Sequence, residues 1–203
     1  MRPSLVLLLA LCEAAPPCTT PLNPLLETIC FSTVSSAGNF SIREYGDGLN
    51  VSLVTANYPV FAGDWAQQSL DATTELLYYF EGSNRAGQRV PVTVPILYRP
   101  EGQNLLASMA LPTSLFPNSA FAPQPTAFST FEPFPAIRIA ALTFQTPALA
   151  TDVDYAFACG ELNEILTLEG IKRVTGPWAE AWATYSGRAA EVHINECWMA
   201  VSK

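Results

Sequence analysis

Apolar and polar positions along the chain change period several times. Phe40-Ser-Ile-Arg-Glu-Tyr45 alternates, Gly46-Asp-Gly48 is a turn sequence, and Leu49–Thr55 alternates again, which predicts a β-hairpin. From Phe61 to Glu81 the spacing becomes three or four, through Trp65, Ala72, Leu76, Leu77 and Phe80. That predicts a helix stopped by Gly82. Strands are expected over 89–98 and 105–111, followed by an excursion over 112–135 that is rich in proline and lacks a period. A further alternating strand is expected over 136–144. A second helix then starts at the capping sequence Thr151-Asp-Val-Asp154 and runs to Gly170 with Tyr155, Ala158, Cys159, Leu162, Ile165 and Leu166 on one stripe. Strands over 178–185 and 191–201 close the chain. Strands, helix, strands, repeated once, make an α+β fold with a largely antiparallel sheet and a weak internal duplication.

One stretch resists this scheme. Arg89-Val-Pro-Val-Thr-Val-Pro-Ile-Leu-Tyr98 is rich in strand formers but has prolines at 91 and 95. Alternation sends the backbone groups of Pro91, Thr93 and Pro95 toward one edge, and the two prolines lack an N–H. The segment is therefore expected at a sheet edge or a barrel opening. Geometry alone favours a guard against edge-to-edge aggregation over a gap that admits a flat apolar ligand.

Composition narrows the functional classes. Hydrophobic residues make up 49% of the 203 positions and charged ones 14%, as in a folded chain. A formal charge of −8 speaks against a nucleic-acid partner. Arg2, the apolar run Leu5–Leu11 and the small residues Ala14 and Ala15 form a secretory signal over 1–15, too short for a membrane span. Residues 16–37 are expected as a tethered arm before a domain over 38–203. Cys18, Cys30, Cys159 and Cys197 remain after cleavage and suit two disulfides, with three connectivities open. Asn39-Phe-Ser41 and Asn50-Val-Ser52 are N-glycosylation acceptors. The expected product is a soluble, secreted glycoprotein.

Several motifs in order resemble the SOUL haem-binding family. These are Ile42-Arg-Glu-Tyr45, Tyr79-Phe-Glu-Gly-Ser-Asn84, Val90-Pro-Val-Thr-Val-Pro-Ile96, Gln124-Pro-Thr126 and Glu191-Val-His-Ile-Asn-Glu-Cys-Trp198. The resemblance implies a distorted antiparallel β-barrel flanked by two helices, with a pseudo-twofold repeat. It also implies a haem or related tetrapyrrole in an apolar surface groove. Val92 stands where the family usually has methionine, and the single histidine, His193, leaves a family-wide axial ligand unassigned.

A porphyrin groove needs apolar walls and a few cations for the carboxylates. Trp65, Leu76, Tyr79, Val92 and Val94 are the wall candidates, and Lys172, Arg173 and Arg188 are the cation candidates. His193 is a weak candidate for the iron, although packing is the commoner role of a lone histidine. The sequence has no G-x-S-x-G elbow, H-E-x-x-H motif or P-loop, so no enzyme is expected. The expectation is a secreted, non-enzymatic tetrapyrrole carrier, scavenger or sensor. The alternative is a secreted interaction protein that keeps the fold without haem affinity.

Overall fold

A computed structural model describes residues 18–20, 22–46, 51–59, 65–127, 129–186 and 190–202. The signal sequence, Asn50 and Arg188 lie outside the described residues. In the first half, the strands are β1 (Cys18–Thr20), β2 (Asn23–Thr28), β3 (Ser32–Ala37), β4 (Phe40–Tyr45) and β5 (Ser52–Pro59). Helix α1 (Trp65–Glu81), β6 (Ile96–Glu101) and β7 (Asn104–Ala110) complete it. The second half contains β8 (Ser129–Pro133), β9 (Ile137–Thr146), α2 (Asp152–Leu168), β10 (Glu180–Thr184) and β11 (His193–Ala200).

The α+β class with two helices is observed. Nine strands form one antiparallel sheet in the order β3-β4-β9-β11-β10-β6-β7-β5-β8. The sheet is strongly curled but not closed, so the barrel is an open one with β3 and β8 as its edges.

Read outward from the β10–β6 pair, the order is nearly palindromic: β11 answers β7, β9 answers β5, and β4 answers β8. This is the expected pseudo-twofold. Each half has exchanged its leading strand, because β4 pairs with β9 and β8 pairs with β5. The hairpin expected from 40–55 therefore does not form. Alternation and a turn sequence specify strands, but not their partners.

Alternate residues of the strands feed two layers. On one face, Tyr45, Leu53, Leu97, Ile139, Ala183 and Trp198 form an inner core capped by Ile29 and Phe31. On the other, α1 packs Ala72, Leu76, Tyr79 and Phe80 over β5 and β7. Beside it, α2 packs Ala158, Leu162 and Leu166 over β9 and β11. Both helices end alike: Ser83 N–H donates to Tyr78 O and Ile171 N–H to Leu166 O, both at 2.8 Å. Gly82 and Gly170 supply the positive φ, 111° and 67°, that this closure requires. At the start of α2 the expected capping box is present, with Asp154 N–H on the Thr151 hydroxyl and Thr151 N–H on the Asp154 carboxylate.

Three local expectations are corrected. The arm is built of strands: β1 and β2 form a hairpin closed by the Cys18–Cys30 disulfide, and β3 joins the main sheet. The aperiodic excursion contains β8, which pairs along β5. Residues 89–95 are not strand, since β6 begins at Ile96 and only Val94 makes a bridge, to Thr28. Between the two prolines, which have no N–H to give a ladder, Thr93 N–H donates to Met109 Sδ and Val94 N–H to Glu27 O.

A second disulfide, Cys159–Cys197, fastens α2 to β11. Two disulfides agree with an oxidising compartment. No helix among the described residues is long and apolar enough to cross a membrane.

The inner core holds a charge. Arg43 faces Glu196 through two hydrogen bonds of 2.5 and 2.8 Å, and Glu196 has no exposed surface. Tyr185 Oη and Trp198 Nε1, both at 2.7 Å, and Thr143 Oγ1 at 2.9 Å also donate to that carboxylate. Burial alone would lower the Arg43 pKa, but the facing carboxylate outweighs it and holds the guanidinium above its ordinary value. Glu196→Gln leaves Arg43 charged and buried without a counter-ion. It should lower stability by about 3–5 kcal/mol in urea denaturation, and the double change Arg43→Met, Glu196→Leu should recover most of that loss.

Candidate ligand-binding cleft

On the helical face, the seam between the two halves is left uncovered. The packing of α1 over β5 and β7, and of α2 over β9 and β11, leaves β6 and β10 without a helix above them. A cleft of about 270 Å³ lies there. Its floor is Ile96, Tyr98 and Thr184, and one wall is the row Trp65, Leu70, Thr73, Thr74 and Leu77 of α1. Leu149, Ala150 and Tyr155, at the start of α2, face it from the other half. The segment Val92–Val94 and Leu26 of the disulfide hairpin close one side.

Aromatic rings shape the floor. Trp182, on β10, pairs in register with Tyr98 on β6. It stacks on Tyr155 at 5.0 Å and meets the edge of Trp65 at 4.6 Å. Polar atoms are few and mostly partnered: Tyr98 Oη lies 2.6 Å from Thr73 Oγ1, and Tyr155 Oη donates to Asn195 Oδ1 at 3.2 Å. Burial pushes Tyr98 up to about 12 against the lowering effect of the Thr73 hydrogen bond, and raises Tyr155 as well. Both phenols are neutral near pH 7. Among the described residues, no charged side chain lines the cleft.

Of the residues singled out in the sequence, Trp65, Val92 and Val94 line the cleft. Leu76 and Tyr79 do not: they are almost completely buried against the sheet, and Tyr79 Oη donates to Pro123 O. The helical period marks α1 as apolar, but that helix has two apolar rows, and only the Leu70–Thr73–Thr74–Leu77 row faces the cleft. Lys172 and Arg173 are in the connection after α2, outside the lining. Arg173 there bonds Asn163 Oδ1 at 3.0 Å and lies 3.8 Å from Glu180. His193 opens β11, is buried and is not part of the lining. Asn39, at the exposed β3–β4 turn, donates from Nδ2 to Thr143 O.

Leu26 and Tyr155 were missed. Tyr155 appears in the sequence only as one member of a packing stripe. Leu26 depends on which cysteines pair, a question that spacing leaves open.

The hairpin is held over the cleft at several points. Asn23 Nδ2 donates to Tyr185 O at 2.9 Å, and Glu27 O accepts from Val94 N–H at 2.9 Å. The Glu27 carboxylate accepts from both the N–H and the hydroxyl of Thr113, and likewise of Ser114. Tyr185 and Val94 are themselves lining residues, so the strap and the cleft wall are one unit.

Residues 26–200 match the SOUL heme-binding protein family. The chain belongs to this family. Membership supports haem or tetrapyrrole binding at the level of the family. No curated protein is similar enough in sequence to count as a match. Among solved structures, the fold is similar to the EcmrR C-terminal domain, with a TM-score of 0.56 and 11% identity over 81% of this chain and 97% of that one. It is also similar to a protein described as a hydrolase from Listeria innocua, with a TM-score of 0.51 and 9% identity over 83% and 94% of the two chains. At such identities the likeness shows the fold alone.

The cleft suits the faces of a tetrapyrrole better than its iron. Apolar and aromatic walls match the ring. The described lining has no imidazole or thiolate, its phenols are held neutral, and the sulfur of Met109 is buried and accepts from Thr93 N–H. Glu27→Ala removes the acceptor that anchors the strap. The Val94 amide, bonded to the same residue, should then lose at least about tenfold in hydrogen-exchange protection while the α2 amides keep theirs. Unchanged protection at Val94 would show that the strap does not depend on the Glu27 side chain.

Proposed function

We propose that this SOUL-family chain is a secreted, non-enzymatic carrier that takes a flat tetrapyrrole into the cleft through ring-face contacts, with no axial ligand from the protein. The observation that carries this reading is the aromatic cleft between α1 and the seam, whose described lining is uncharged. Its volume is just under the usual range for small-molecule pockets, so a tetrapyrrole would be held by part of its ring and leave the rest in solvent. The two disulfides support an extracellular or luminal setting. Support for a binding role rather than catalysis comes from the described lining, where no nucleophile is paired with a base. A second reading, an interaction protein of the same fold that has lost haem affinity, draws on the lack of an iron ligand in the lining.

Titration of the purified protein with haem and with metal-free protoporphyrin separates these readings. Saturable shifts of the main absorption band with both ligands, at comparable micromolar affinity, are expected because the iron adds no bond to the protein. Thr74→Trp, which fills the cleft from the α1 wall, should weaken both at least about tenfold, as overfilling a packed site does. No saturable shift with either ligand would leave the interaction reading standing.

A further inference from the structure

A tetrapyrrole dicarboxylate needs somewhere to put its charge, and the described lining of the main cleft has no cation. Past Leu77 and Val92, however, the cleft continues into a second groove that shares those two residues. This groove is lined by Phe80, Glu81, Arg89, Val90 and Pro91. Arg89 is exposed, and neither it nor Glu81 enters an ion pair among the described residues. The long axis of α1 fixes the polarity of the site. The side chains of α1 that line the cleft, from Trp65 to Leu77, are uncharged, and beyond that row comes a cation. Glu81, the last residue of the helix, repels an anion from the helical side of the groove and leaves the Arg89 side to receive it.

Resting on the tetrapyrrole reading, we infer that Arg89 is the carboxylate subsite, and that the cleft selects rings whose anionic groups are gathered on one edge. Such a ring enters with its apolar edge toward Tyr155 and Asn195 and its carboxylates toward Arg89 and solvent. A ring with a carboxylate on each of its four pyrroles cannot be placed this way. Whichever edge enters, one carboxylate is stranded against an uncharged lining, at a cost that burial without a partner always carries. Arg89 can engage a carboxylate through two parallel N–H donors, which fixes the direction of the ring as well as adding affinity.

The test compares three metal-free probes on the intact protein and on Arg89→Met. They are protoporphyrin IX, with two carboxylates on adjacent pyrroles, its dimethyl ester, and coproporphyrin III, with one on each pyrrole. On the unaltered protein, coproporphyrin should bind more than about tenfold more weakly than protoporphyrin. Arg89→Met should weaken protoporphyrin about three- to fivefold, as loss of an exposed ion pair does, and the difference should shrink in high salt. Binding of the dimethyl ester should be indifferent to the substitution, which also shows that the variant is folded. Equal binding of coproporphyrin and protoporphyrin, or a dicarboxylate affinity unchanged in Arg89→Met, overturns the subsite while leaving tetrapyrrole binding intact. Failure of all three probes overturns the binding reading and the subsite with it.

Discussion

Three residue pairs between β6 and β10, Ile96 with Thr184, Leu97 with Ala183 and Tyr98 with Trp182, hold the two halves of the molecule side by side. The site depends on this short pairing. It puts Leu97 and Ala183 into the inner core, and it puts Ile96, Tyr98, Trp182 and Thr184 on the face that carries the helices. Because each helix covers only the strands of its own half, the seam remains as a trough with an aromatic floor. The exchanged outer strands reinforce the arrangement. With β4 in the second half and β8 in the first, neither half can separate without breaking two strand pairings.

The inner core and the cleft divide the polar residues between them. Among the described residues, the inner layer holds two ion pairs: Arg43 with Glu196, whose carboxylate is surrounded by donors, and Arg99 with Glu132, Arg99 lying over the Trp178 ring at 3.8 Å. The cleft holds only hydroxyls and amides. A charged group buried in the inner layer has fixed partners and cannot respond to a ligand. The described lining of the cleft is free of charge, so under the proposed reading it meets a ligand through ring faces and leaves ionic recognition to its open end. The hairpin completes the enclosure. Its disulfide fixes the loop that carries Leu26, and Glu27 ties that loop to the segment bearing Val94.

Elements specified by neighbouring residues were legible in the sequence, and those specified by distant ones were not. Thr151 with Asp154, the stripe from Tyr155 to Leu166 and the stop at Gly170 define α2 within twenty residues, and α2 forms as expected. The hairpin over 40–55 fails because its two strands pair with β9 and β8, far along the chain, and nothing near Tyr45 announces Ile137 as its partner. Residues 90–96 alternate like a strand, yet without the N–H groups of Pro91 and Pro95 the backbone finds other partners in Glu27 and Met109. The same limit applies to the site. Trp65 is legible from the apolar helical stripe and Val92 from the motif strand that contains it. Leu76 was chosen in place of Leu77 because a helical stripe does not say which of its rows meets the sheet and which borders a cleft.

The central claim is that the ligand lies on the helical face of the seam, outside the inner core. Backbone amide chemical-shift mapping with metal-free protoporphyrin tests it most directly. Perturbations should concentrate on 65–77, 92–98 and 149–155, with those at Arg43 and Trp198 in the inner layer unchanged. Shifts centred on the inner-core residues around Arg43 and Trp198, with Trp65 and Val92 silent, would contradict it.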